Sequence, residues 1–371
     1  MDNEKLSIVA LNTIVDLVPK KLISLINYFG NANNVLKADI KELEAVGIIS
    51  DKVAKSIKNL SNLDEANKEL VLAERNHIKI LTYLDEEYPS QLKNIYDFPP
   101  VLYIKGNFNK DDTFSVSVVG SRKPTNYGII VTEKFCKYFA QNSITTISGL
   151  ASGIDTQAHS STLKNSGRTT AVLGNGLLEC YPAGNRKLQD EIAEKGVVIS
   201  EFPLTRIALP VNFPRRNRIV AALSLATIVV EAAEKSGSLI TAELACEYGK
   251  DVFAVPGPIY SKYSQGPNSL IKQGALVALR PEDIVEQVNL LSDFVKKKTQ
   301  KKKKEIEKNL PLISQSSINI LKMIQSSTVG MSLDEISLKS NVNVSEVSTI
   351  LLDLELNGLI KAMPGQIYIG C

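Results

Sequence analysis

The chain has no tryptophan, only two histidines (His77 and His159) and only four cysteines in 371 residues. Cys136, Cys180, Cys246 and Cys371 form no CxxC spacing and do not pair with the histidines, so neither a zinc site nor a disulfide framework is expected. All four read as reduced, and no cofactor or metal is called for. The fingerprints GxGxxG and GxxxxGK[ST] are both missing, which sets aside dinucleotide binding and ordinary P-loop chemistry. No apolar run approaches the roughly 18 residues of a membrane span, and the opening residues lack a signal peptide's charged start and cleavage site. A cytoplasmic protein without membrane contact is therefore expected. Nor does one sign of charge dominate: 43 Lys and Arg stand against 40 Asp and Glu, a net charge of +3. Any electrostatic argument must rest on local clusters.

Two such clusters exist. Asn212 to Arg218 read NFPRRNR and run into the apolar stretch IVAALSLA, which puts Arg215, Arg216 and Arg218 at the start of a buried helix. A helix N-terminus offers unpaired N–H groups and a positive dipole end, and guanidinium forks match phosphate oxygens in pairs. No acidic residue lies between Glu201 and Glu231 to neutralise them locally. The second cluster, KKKTQKKKK at 296–304, holds seven lysines whose mutual repulsion argues for a solvated, non-helical tether.

At this length two or three domains are expected. Residues 1–65 read as an N-terminal all-α domain in which LEAVGIISDKVAKSI has a helix-hairpin-helix or SAM-like pattern. Residues 66–290 form the core. There, SVSVVG, TTISG, AVLGNG, GVVISE, ATIVVE, DVFAVPG and ALVAL alternate with helical patterns, which predicts an α/β fold with a parallel sheet covered on both faces. Residues 291–310 are the basic linker, and 311–371 give three helical patterns and a hairpin resembling a winged helix. The second helix of the helix-turn-helix pattern, SEVSTILLDLELNG, where a DNA-reading helix would lie, carries Glu346, Asp353 and Glu355 without Lys or Arg, a poor face for DNA.

The turns after the strands share the carboxyl edge of the sheet, where ligands of open α/β sheets bind. VVGSRKPTNYG puts Gly120, Ser121 and Arg122 there as close-approach and donor residues. SGLASGID adds Ser148, Gly149 and Gly153, small residues that suit an anion nest, with Asp155 read as a helix-start residue and His159 as structural. Gly174, Asn175 and Gly176 follow the next strand, then Tyr181, which could stack a base or pack beneath its turn, and the cations Arg186 and Lys187. Ser236, Gly237 and Ser238 open another helix. Glu231, Glu234 and Glu243 nearby leave open a nucleoside-phosphate hydrolase as the alternative, although nothing fixes a catalytic pair.

In this order, VVGSRKPTNYG, SGLASGIDTQAH, VLGNGL, SEFPL, FPRRNRIVAALS, VVEAAEKSGSLITA, DVFAVPG and SQGPNSLIKQGA resemble the DNA-processing protein A family (DprA, also called Smf) from about Tyr88 to Ala278. The resemblance implies an extended Rossmann-type core that binds single-stranded DNA, forms a homodimer and helps load the RecA recombinase. It further implies protection of DNA taken up in natural transformation, with no catalytic turnover. By motif, Gly120, Ser121 and Arg122 match one DNA corner, and Arg186 or Lys187 a second basic contact. Leu270 and Ile271 fall near the core dimer contact.

Overall fold

The computed structural model describes residues 3–60, 63–308, 315–327, 330–356 and 359–370. They fall into two compact units, Met1–Lys296 and Lys297–Cys371. In the first, six helices lead: α1 (Asn3–Asn12), α2 (Pro19–Phe29), α3 (Ala32–Lys37), α4 (Ile40–Ala45), α5 (Asp51–Lys58) and α6 (Asp64–Arg75). Asp39 and Glu42 close a capping box on α4, and Gly47 turns the chain toward α5 at φ +74°. These helices are packed onto the sheet: Ile8, Leu11, Leu22 and Leu25 share one apolar core with Tyr103, Ala171 and Leu173.

All seven apolar runs are strands: β3 (Ser115–Val119), β4 (Thr145–Ser148), β5 (Thr169–Leu173), β6 (Val197–Ser200), β7 (Ala226–Val229), β8 (Asp251–Ala254) and β9 (Leu276–Val277). They lie parallel in the order β6-β5-β4-β3-β7-β8-β9. Two strands not read from the sequence, β1 (Lys79–Thr82) and β2 (Val101–Gly106), extend the sheet antiparallel beyond β6, to nine strands. The helices of this unit after β3 are α7 (Asn126–Gln141), α8 (Ile154–Lys164), α9 (Arg186–Lys195), α10 (Asn212–Leu223), α11 (Gly237–Glu247), α12 (Gln265–Lys272), α13 (Glu282–Gln287) and α14 (Asn289–Lys308), the last running on past Lys296.

Side-chain alternation in β3 shows how both faces are buried. Val116 and Val118 join Phe135 and Phe139 of α7, while Val119 faces Ile219 to Leu223 of α10. Ser115 and Ser117 lie on that second face. Their hydroxyls donate to the carbonyls of Leu223 (3.1 Å) and Val220 (2.8 Å), so α10 sits close against the strand. The chain steps from β3 through β6 on one side, then crosses to β7 on the other side of β3. That reversal opens a crevice at the carboxyl ends of β3 and β7.

The lysine run corrects one expectation, because residues 296–304 lie inside α14. Leu291 is buried and Phe294 stacks on Phe114 at 4.0 Å, so the helix is anchored by core residues before the lysines begin. Lysine is itself a good helix former, and salt screens the repulsion.

The second unit contains α15 (Gln315–Gln325), β10 (Met331–Ser332), α16 (Leu333–Ser340), α17 (Val344–Leu356), β11 (Ile360–Met363) and β12 (Ile367–Gly370). Ile320, Ile324, Ile336, Val347, Leu351 and Leu354 fill its core, and the strands pair β10-β12-β11 as the wing. No helix among the described residues is long and apolar enough to cross a membrane, and no group of histidine, cysteine or acidic side chains there could hold a metal. Cys136, Cys180 and Cys246 are free thiols; Cys371 lies outside the described residues.

Candidate nucleic-acid interface

The crevice is a cleft of about 780 Å³ whose walls come from the turns after β3, β4 and β7 and the first turns of α10 and α11. Of the residues singled out in the sequence, Gly120, Ser121, Arg122, Gly149, Arg216, Ser236, Gly237 and Ser238 line it, as do Asp155, Tyr181 and Glu234. The turn after β3 is latched to the neighbouring strand end: the Ser121 N–H donates to the Glu231 carbonyl (2.6 Å), and the Ile154 N–H to the Ser121 carbonyl (3.1 Å). Gly153, at φ +86°, packs so tightly on the backbone of Ser121 and Arg122 that a Cβ would overlap them. Ser236 caps α11 through its hydroxyl, which also meets the Ser238 hydroxyl at 2.8 Å. No acidic residue occupies the first turn of α10 or α11. In α10 the N–H groups of Asn212 and Phe213 are spent on the carbonyls of Leu209 and Pro210 and Pro214 has none, so it is the α11 N-terminus that opens on the cleft, with Glu234 on the rim.

Arg122 is exposed and lies over the Phe213 ring at 5.5 Å, with Tyr181 on that ring at 5.3 Å. Arginine, phenylalanine and tyrosine thus make a short ladder of flat groups along one wall. Tyr181 is 47% exposed and its ring lines the cleft. Sequence reasoning did not single out Phe213, Asn217, Lys235, Lys262 or Gln265, which also line the cleft. Phe213 was legible within FPRRNR as an aromatic beside cations; Lys262 carried no local signal.

The other predicted residues lie elsewhere. Ser148 is buried, with its hydroxyl donating to the Val118 carbonyl (2.7 Å), and Asn175 is buried with its amide on the carbonyls of Gly176 and Glu179. Gly174 sits beneath Phe213, and the Gly176 N–H donates to the Arg206 carbonyl (2.8 Å). Lys187 lines a separate shallow groove between α8 and α9. Arg186 is exposed, with one contact to the Leu178 carbonyl (3.1 Å). Leu270 leans on the core beside α11, and Ile271 is half-buried.

The arginines of NFPRRNR divide by depth. Arg218, 4% exposed, pairs with Glu201 (2.6 Å) and Asp97 (3.2 Å), so its charge is spent inside the fold and it does not reach the cleft. Arg215, 30% exposed, lies 3.6 Å from the same Glu201 carboxylate and over Phe202, also away from the cleft. Glu201 stands just outside the acid-free stretch and Asp97 far upstream, which is why the sequence window showed no partner. Arg216 lines the cleft floor but is buried, with Nη1 donating to the carbonyls of Gly149 and Val172. Burial pulls its pKa down to about 10, partly offset by Asp155. Burial in turn raises Asp155, against the pull of Arg216 and the N–H groups of Ala151 and Gly149.

His159 is fully buried. Its Nδ1 lies 2.7 Å from the Thr169 hydroxyl, which is also within 2.8 Å of the Thr146 carbonyl. Burial, reinforced by Arg216, pushes the imidazole pKa down to about 3. It is a neutral structural group.

A doubly wound α/β sheet with a cationic, aromatic-walled cleft at its switch point, in a chain that also carries a winged helix, defines a Rossmann-type α/β protein. Residues 79–289 match the family model for DNA recombination-mediator protein A, and 318–366 that for the DprA winged helix domain. The chain is 39% identical to protein Smf of Escherichia coli over 76% of this chain and 74% of that protein. It is 41% identical to DNA processing protein DprA of Bacillus subtilis over 57% of this chain and 71% of the relative. The X-ray structure of DprA from Streptococcus pneumoniae superposes with a TM-score of 0.67 at 34% identity, covering 78% of this chain and 99% of that one. DNA processing protein A from Helicobacter pylori, whose structure is described for its single-stranded DNA binding mode, gives 0.52 at 30% identity over 58% and 96%. The chain belongs to the DNA recombination-mediator protein A family.

Proposed function

We propose that the protein binds single-stranded DNA in DNA processing for transformation and recombination, protects it, and helps load the RecA recombinase. The carrying observation is the Arg122–Phe213–Tyr181 ladder beside the N-terminus of α11. Cations and helix ends hold phosphates, and the rings accept unstacked bases of any sequence. Duplex fits worse, because presenting bases to the rings costs a few kcal/mol each in unstacking. The proposed DNA contacts are Arg122 with Gly120, Ser121, Gly149 and the 236–238 turn, and further along the edge Arg186 and Lys187. A homodimer through the region of Leu270 and Ile271, working in the cytoplasm, completes the reading. Titrating labelled single-stranded and duplex oligonucleotides at several salt concentrations tests it. Single-strand preference with a log–log slope near −0.7 per neutralised phosphate is expected, and equal or stronger duplex binding overturns it.

The hydrolase alternative needs a carboxylate free to act in the cleft. Glu231 is occupied: its two oxygens accept from the Thr125 hydroxyl (2.5 Å) and N–H (2.8 Å) at the start of α7. Asp155 is held under Gly149 and Ala151, which leaves Glu234 on the rim. Release of free base from nucleoside monophosphates would bring that alternative back.

A further inference from the structure

The turn between β8 and α12 carries a feature unrelated to folding. Pro258 to Ser261 close a tight turn, with the Ser261 N–H donating to the Pro258 carbonyl (2.9 Å). Its two corner positions are Ile259 and Tyr260, 76% and 95% exposed. Such corners are ordinarily filled by glycine, proline, asparagine, aspartate or serine, and a large apolar pair held in water there contributes nothing to the core.

The turn is fixed on three sides. The Tyr127 hydroxyl donates to the Pro256 carbonyl (2.8 Å), the Asn268 amide donates to the Gly257 carbonyl (3.0 Å), and the Ala232 N–H donates to the Tyr263 carbonyl (2.7 Å). Two residues beyond Tyr260, Lys262 lines the cleft, as does Gln265 at the start of α12. The exposed tip therefore stands two residues along the chain from a cation of the cleft wall.

Resting on the single-stranded DNA reading above, we infer that the 258–262 turn extends the strand path out of the cleft: Tyr260, with Ile259, takes one unstacked base, and Lys262 takes an adjoining phosphate. The chemistry is that of the inner wall, a flat ring beside a cation. Rigidity matters because a pre-positioned ring loses little freedom on binding.

The absence of tryptophan gives a clean test, since the substitution Tyr260→Trp introduces the sole tryptophan of the chain. On titration with oligo(dT), the indole emission of that variant should be quenched in step with the rise in anisotropy of the labelled strand. Tyr260→Ala should weaken binding by roughly five- to tenfold with an unchanged salt slope, while Lys262→Gln should lower the slope by about 0.7. Indole emission that stays constant in the Tyr260→Trp protein while the strand binds overturns the inference and leaves the DNA-binding reading standing. A Tyr260→Ala protein that binds normally but loses a subunit by light scattering overturns it too, assigning the tip to a second copy. A wild-type protein that raises no anisotropy with any oligonucleotide removes the DNA-binding reading and this inference together.

Discussion

Arg122 and Arg218 are the same side chain in opposite environments, and they should fail in opposite ways. Arg122→Ala removes an exposed guanidinium whose contact is an aromatic face, so binding should weaken and its salt slope flatten while the melting temperature barely moves. Arg218→Met leaves Glu201 buried beside one less cation, which costs about 3–5 kcal/mol in systems of this kind; chemical denaturation would register it, and DNA affinity per folded molecule should persist. His159 sets a pH dependence. The folded state refuses a proton that the unfolded chain accepts below pH 6.5, so its contribution is present above 6.5 and is lost as pH falls toward 3. By pH 5 the loss is about 2 kcal/mol, and a His159→Gln protein should lack that slope in denaturant midpoints measured between pH 7 and 5. Asp155 works against it: its raised pKa means the penalty for its charge is relieved on acidification.

Among the elements, α11 offers the sharpest separation of stability from binding. Gly237 opens the helix, and a Cβ added there would meet nothing within 4 Å, so Gly237→Ala should leave the melting temperature unchanged or slightly raised. If a phosphate reaches the α11 N-terminus, the added methyl blocks it and anisotropy should report weaker binding; unchanged affinity would take the DNA off that helix. The elements also show what a sequence reveals. The strands β3 to β9 were legible because runs apolar on both faces have few other uses, whereas β1 and β2, an antiparallel edge, lack that signal. Ser121 and Arg122 could be placed at the cleft because a turn after a core strand goes to the carboxyl edge. Depth within α10 was not legible: which of Arg215, Arg216 and Arg218 points inward depends on Glu201, Asp97 and Gly149, contacts set by tertiary packing. The lysine helix eluded composition because its anchor, Phe294 on Phe114, is a long-range contact.

At the scale of the molecule, the two units divide the labour unequally. The cleft is built wholly within the first, and α17 of the second has acids at Glu346, Asp353 and Glu355 and no basic residue. A protein ending at Lys296 should hold single strands as the full chain does; a marked loss would assign part of the strand path to the winged helix. The cleft also gathers its walls from segments scattered between Val119 and Gln265, because the chain finishes one side of the sheet before crossing to the other. During synthesis, Arg122 and Phe213 therefore emerge from the ribosome well before the turn at 236–238 and Lys262. A nascent chain has cations but no cleft, and the walls are complete only when nearly all of its first unit has been made.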